Sequence, residues 1–130
     1  MLRYADTVEA RSAEAGPDAV PAATPPGARV PVCSRYHETV ELIGRRWSGA
    51  ILFSLIGGPR YFSDVAAAVP GVSDRLLSRR LRELEGEGLV ERSVHDGPPA
   101  RVSYRLSESG RALEPALVAL YDWAQDWRDD

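Results

Sequence analysis

Apolar and polar positions along this chain change period several times, and each change marks an element. From Cys33 onward, Tyr36, Val40 and Ile43 share one helical face, and Gly44 closes the segment. Ser48 is an N-cap candidate for a second helix, to which Ile51, Leu52, Leu55 and Ile56 give a wide apolar side before Gly57-Gly58-Pro59 stops it. Ser63 is a cap candidate for a short third helix, Asp64 to Val69, ended by Pro70-Gly71. Ser73 then caps a fourth segment, read as one amphipathic helix through Leu89, with Gly86 and Gly88 marking its end. Next the period falls to two. Leu89 to Val94 is rich in β-branched residues, Asp96-Gly97-Pro98-Pro99 is turn chemistry, and Val102, Tyr104 and Leu106 alternate with polar positions, which predicts a β-hairpin. Ser107 caps a final helix in which Leu113, Leu117, Leu120, Trp123 and Trp127 follow one another at spacings of three or four. Pro115 lies inside that pattern and is expected to bend or interrupt it.

The fourth helix carries two chemistries. Leu77, Leu81 and Leu84 recur at the spacing of a buried face, and Arg75, Arg79 and Arg82 recur at the same spacing two residues out of phase. At about 100° per residue the two rows lie roughly opposite each other. Taken alone, an arginine row is more often a solvated face than a binding face. Its neighbours decide the reading: a short helix and tight turn before it and a hairpin after it make a helix-turn-helix followed by a wing. The predicted fold is therefore mainly α with a β-hairpin wing, an α+β winged helix-turn-helix. Ser73, Arg75, Ser78 and Arg79, in the first two turns, are the candidates for base edges and nearby phosphates. Arg82 is assigned to phosphate, with Ser63, Arg60 and Tyr61 behind it; capping is the leading role for Ser63. Arg80 points partly toward the protein, where Glu83 or Glu87 could pair with it, a role that stands level with a DNA contact; Glu83, Glu85 and Glu87 should face away from DNA.

Composition narrows the class. With 130 residues, 44% hydrophobic and 27% charged, the chain suits one soluble domain. Its apolar runs are too short to span a bilayer, and no secretion signal is read. One cysteine excludes an internal disulfide, and no Cys/His cluster has zinc spacing, so a cytoplasmic protein without metal or cofactor is expected. The net charge of −3 conceals a gradient: ten arginines stand against seven carboxylates from 45 to 105, and two against six from 106 to 130. A basic middle between acidic flanks fits a surface that faces DNA. All sixteen basic residues are arginine, a bias shared with the Ala- and Gly-heavy composition and given little weight. Residues 1–32, with five prolines between Ala15 and Pro31, read as a flexible Pro/Ala-rich tail holding at most a weak helix from Leu2 to Ala15; residues 33–130 form the domain. With no phosphate loop, no nucleophile–His–acid set and no partner spaced to His37, an enzyme is not expected.

The segment Cys33–Trp127 resembles the HxlR-type winged-helix transcription regulators, relatives of the MarR group. The likeness is carried by Cys33, Leu42-Ile43-Gly44 with Trp47, Gly57-Gly58-Pro59-Arg60-Tyr61-Phe62-Ser63 and Pro70-Gly71-Val72-Ser73. It continues through Leu77, Leu81-Arg82-Glu83-Leu84-Glu85, Gly88-Leu89-Val90, Pro98-Pro99-Ala100-Arg101-Val102-Ser103-Tyr104 and Gly110-Arg111. The resemblance implies a homodimer, built mainly from the first and last helices, that binds double-stranded operator DNA as an inverted repeat, most often as a repressor. The surplus apolar surface of the last helix agrees with dimerisation, although core packing would also use it. A two-fold dimer sets its recognition helices about 34 Å apart. Arg101 matches the family's wing arginine and would reach the minor groove or its phosphates.

Two effector routes stay open. In the family a cysteine at the position of Cys33 senses electrophiles, quinones or oxidants, and a thiol at a helix N-terminus beside Arg35 suits that chemistry. This chain departs from the pattern with Ser34 where proline is common and with no second cysteine; the alternative role for Cys33 is a small packed interface residue. The second route is a small-molecule pocket between the dimerisation helices and the DNA-binding core, lined by Tyr36, His37, Trp47, Phe53, Trp123 and Trp127, though aromatics at helical spacing more often build core. A different class, a winged-helix protein-interaction module without an operator of its own, would bind without steep salt dependence.

Overall fold

The computed structural model describes residues 31–129. Most of the proline-rich segment, and the weak helix considered for Leu2 to Ala15, lie outside the described residues. In chain order the elements are α1 (Ser34–Gly44), α2 (Ser48–Ser54), β1 (Arg60–Tyr61), α3 (Phe62–Ala68), α4 (Asp74–Gly86), β2 (Val90–His95), β3 (Arg101–Leu106), α5 (Glu108–Ala112) and α6 (Glu114–Trp127). This is the expected winged helix-turn-helix with one element added. The two residues of β1 pair antiparallel with β3, making a three-stranded sheet of order β1-β3-β2.

The leucine row organises the core. Leu77, Leu81 and Leu84 are fully buried against Ile51, Leu52 and Leu55 of α2 and its end, Val65 and Val69 around α3, Val90, Tyr104 and Leu106 of the sheet, and Leu117 of α6. Each fully buried aliphatic side chain contributes roughly 1.5–3 kcal/mol. Val102, Tyr104 and Leu106 turn inward as alternation predicted, although Ser103 is also covered.

Two expected caps are corrected. Ser48 does not cap α2. Trp47 occupies that position with a left-handed backbone (φ 80), and Ser48 falls inside the helix, its buried Oγ without a hydrogen-bond partner among the described residues. A left-handed non-glycine residue costs about 1–2 kcal/mol. Packing of the Trp47 ring offsets this. The ring lies so close over Gly71 (φ +94) that a Cβ there would sit 3.2 Å from its Cη2, while Arg46 covers the ring at 4.7 Å. Ser63 does not cap α3 either: pairing with β3 keeps the chain extended through Tyr61, the helix starts at Phe62, and Ser63 enters its first turn.

Ser73 and Ser107 do cap, accepting from the Leu76 and Gly110 N–H groups at 3.1 and 3.0 Å. Helix α4 stops at Gly86, three residues before the predicted end, and Leu89 returns its N–H to the Leu84 carbonyl at 3.0 Å. At the root of the wing, the Ser107 N–H donates to the Leu89 carbonyl at 3.0 Å and its hydroxyl to the Gly88 carbonyl. Gly110 presses against the same Leu89 carbonyl so closely that no side chain fits there.

The C-terminal segment divides at Leu113, as Pro115 suggested. Proline falls in the first turn of α6, where its missing N–H removes no helical bond. Helix α6 then turns one shoulder inward, with Leu117 buried and Tyr121 stacked on Phe53 of α2 (centroids 4.9 Å apart). The adjoining shoulder, Leu120, Trp123 and Trp127, is 61%, 49% and 74% exposed. Tyr36 and Val40 of α1 are also exposed.

Candidate nucleic-acid interface

The leucine row of α4 fixes what its other side presents. Arg75, Arg79 and Arg82 are all exposed, and among the described residues none of them pairs with a carboxylate. Ser78 is half-buried beside them. Ser73 is exposed, but its Oγ accepts a hydrogen bond as the helix cap, so local structure already uses one of its lone pairs. Asp74 sits in the first turn, where a carboxylate complements the helix dipole.

Arg80 behaves differently, as its phase on the helix predicted. It is largely buried, donates through Nε to the Arg46 carbonyl at 3.0 Å, and pairs with Glu83 at 3.2 Å. Glu83 also receives Arg45 from the α1–α2 turn at 2.9 Å. Partial burial pushes the Glu83 carboxyl up, but the hydrogen bond from Arg45 and the charges of Arg80 and Arg45 outweigh it and hold the group below its ordinary value. One carboxylate thus ties α4 to the turn that follows α1. Arg45 was not among the residues read from the sequence, because 38 positions separate it from Glu83.

The sheet gathers a second group. Arg101, first residue of β3, lies with its guanidinium 3.5 Å from the centroid of the Tyr61 ring. His95, directly across the hairpin from Arg101, meets the same ring edge-on at 5.7 Å and shares a 2.7 Å hydrogen bond with Ser103. Arg60 is exposed but donates through Nε to the Ser54 carbonyl at 2.6 Å, which fastens β1 to the end of α2. Ser63 is exposed on the first turn of α3. Sequence reasoning missed His95: its neighbours follow from the hairpin register, which the irregular Asp96–Ala100 loop hid.

The effector candidates are spread out. Cys33 is a free, exposed thiol at the N-cap of α1, its Sγ accepting from the Tyr36 N–H at 3.4 Å. His37 pairs with Glu41 at 3.0 Å on the exposed side of α1. Trp47 packs on the core beside Gly71, whereas Tyr36, Trp123 and Trp127 face outward. Trp47 is thus occupied as a core residue, and the other aromatics of the expected pocket lie on open surface in the single chain.

The family model described as HxlR-like helix-turn-helix matches residues 42–130, which contain the arginine row of α4 and the Tyr61–His95–Arg101 cluster but not Cys33, Tyr36 or His37. The chain belongs to the HxlR-like helix-turn-helix family. Within it, the chain is 42% identical over 98 residues to YvaP, an uncharacterised HTH-type transcriptional regulator of Bacillus subtilis (strain 168), covering 75% of this chain and 91% of that one. Among solved structures it is similar to the redox regulator HypR in its oxidised form, with a TM-score of 0.70 at 34% identity over 74% of this chain and 99% of that one. A MarR-family regulator from Porphyromonas gingivalis W83 gives the same TM-score of 0.70 at 20% identity, covering 75% and 96% of the two chains, a likeness of fold alone. This HxlR-family chain is therefore a helix-turn-helix transcriptional regulator, and the relatives it matches are regulators rather than enzymes. No helix among the described residues is long and apolar enough to cross a membrane.

Proposed function

We propose that the chain is a sequence-specific, dimeric DNA-binding repressor whose working unit is residues 33–130. The arginine row of α4, exposed and without a carboxylate partner among the described residues, carries this reading. Arg80 and Arg45, by contrast, share their charges with Glu83. Ser73, Arg75, Ser78 and Arg79 are assigned to base edges and adjacent phosphates, Arg82, Arg60 and Ser63 to phosphates, and Arg101 to the minor groove. The outward shoulder of α6, together with Tyr36 and Val40 of α1, is the surface assigned to a second copy. Its apolar side chains are large and contiguous in phase, the composition of a buried patch rather than of scattered surface residues.

The test begins by selecting duplexes from random DNA and titrating the selected site. Arg75→Ala and Arg79→Ala are each expected to weaken binding by about 1–3 kcal/mol per guanine contact, with dimer size in size-exclusion chromatography unchanged. Undiminished affinity of the double variant would refute the assignment. Wild-type affinity should also fall steeply with salt, whereas a protein-interaction module has no counterions to release from DNA. For regulation we propose oxidation or alkylation of Cys33. Its exposure and the likeness to a redox regulator support this. A thiol oxidant should release the wild type but not Cys33→Ser from the selected duplex; equal release of both removes Cys33 from the mechanism.

A further inference from the structure

The two residues of β1 look too few to matter for the sheet. They contribute one ladder step at Arg60↔Tyr104 and one at Tyr61↔Ser103. What the strand does achieve is to carry Tyr61 onto the outer face of the wing. Paired residues of neighbouring strands point to the same side of a sheet, and so do alternate residues along one strand. Tyr61 is paired with Ser103, Ser103 with Ser93, and Arg101 with His95, so all five side chains share the face opposite the core. On that face the Tyr61 ring is held from two directions. His95 meets it edge-on and is itself fixed by Ser103, and Arg101 lies flat upon it.

Stacking leaves the guanidinium's hydrogen-bonding capacity intact. It uses the π face of the group, while its N–H donors radiate in the plane of the fork. Other arginines spend donors on protein: Arg105 on Glu91 at 3.4 Å, Arg60 on the Ser54 carbonyl, Arg80 on Arg46 and Glu83. Among the described residues Arg101 has no carboxylate partner. A long flexible cation has been oriented without being neutralised.

We infer that Tyr61 is a positioning residue for the wing: its ring, braced by His95, holds the guanidinium of Arg101 ready for the DNA minor groove or its phosphates, so that little side-chain freedom is lost when DNA arrives. The inference rests on the DNA-binding reading above. It gives Tyr61 a role through Arg101 rather than a phosphate contact of its own, and it makes the aromatic ring, not the phenol hydroxyl, the working part.

The experiment is a double-mutant cycle on the selected duplex, using full-length protein, with Tyr61→Leu, Tyr61→Phe, Arg101→Ala and the Tyr61→Leu/Arg101→Ala pair. Thermal unfolding of each variant identifies any that fails to fold. Tyr61→Phe should bind like the wild type. Tyr61→Leu should weaken binding by about two- to fivefold per half-site, the range of an exposed cation–π contact. Once Arg101 is Ala, the Tyr61→Leu change should cost nothing further, because Tyr61 acts through that side chain. Penalties that simply multiply, a Phe variant as weak as the Leu variant, or Arg101→Ala binding like the wild type would each overturn the inference. Should Arg75→Ala/Arg79→Ala abolish binding while Tyr61→Leu leaves it intact, the DNA-binding reading stands and the positioning role falls. If wild type selects no duplex at all, both fall. If Tyr61→Leu does not fold, the Phe variant and the comparison of Arg101→Ala with wild type still decide.

Discussion

Replacing Glu83 with Gln isolates the charge at the junction between α1 and the recognition helix. Gln preserves shape and one acceptor, so the change removes mainly the electrostatic pairing with Arg45 and Arg80. The Arg45 contact is half-exposed and worth a few tenths of a kcal/mol; the Arg80 contact, with its guanidinium side only 15% exposed, adds somewhat more. Together they amount to about 1 kcal/mol, or roughly 4–8 °C in melting temperature for a domain near 100 residues. The sign with pH follows from the depressed carboxyl. A group held below its ordinary value of 4.5 contributes fully above that value and loses its contribution as pH falls through the folded-state value. Thermal melts of wild type and Glu83→Gln at matched concentration should therefore differ at pH 7 and converge as pH falls through the depressed folded-state value, where wild-type Glu83 itself takes up a proton. Equal melting temperatures at pH 7, or a gap that persists unchanged into acid, would refute the account of this junction.

Three further outcomes are expected. Gly110→Ala should destabilise severely, by about 3 kcal/mol or more, since its Cβ would overlap the Leu89 carbonyl and sit 3.2 Å from two Leu106 atoms; denaturant titration reads the loss. Ser48→Ala should raise stability in the same assay by on the order of 1 kcal/mol, because it removes a buried hydroxyl with no partner among the described residues. Trp123→Glu with Leu120→Glu should convert a dimer to monomers in sedimentation equilibrium and weaken operator binding in parallel; an unaltered dimer would move the interface elsewhere.

What could be read from the chain was what neighbours in sequence decide. The leucine and arginine rows of α4, and the caps Ser73 and Ser107, depend on residues within two turns, and they came out where spacing placed them. Ser48 and Ser63 resemble caps equally well by type. Their displacement comes from contacts distant in sequence: the Trp47 ring on Gly71, and β1 against β3. The same holds for the candidate interface. The exposed arginines were legible from helical phase alone, whereas the Arg45–Glu83 tie and the cluster of Tyr61, His95 and Arg101 required the register of three strands and the approach of two helices.

The stack of Tyr121 on Phe53 lies where the inner shoulder of α6 meets its outward one. On the proposed dimer, the intersubunit surface is then an extension of each subunit's own core, with the two rings at the seam. A chain paired in this way would gain stability with its abundance, because mass action from the partner raises the folded fraction as the protein accumulates. Below some copy number the proposed subunits would separate, expose Trp123 and Trp127, and become open to proteolysis. On that proposal the aromatic seam would act as a quorum for the regulator itself, setting the fewest molecules a cell must hold before any of them could occupy an operator.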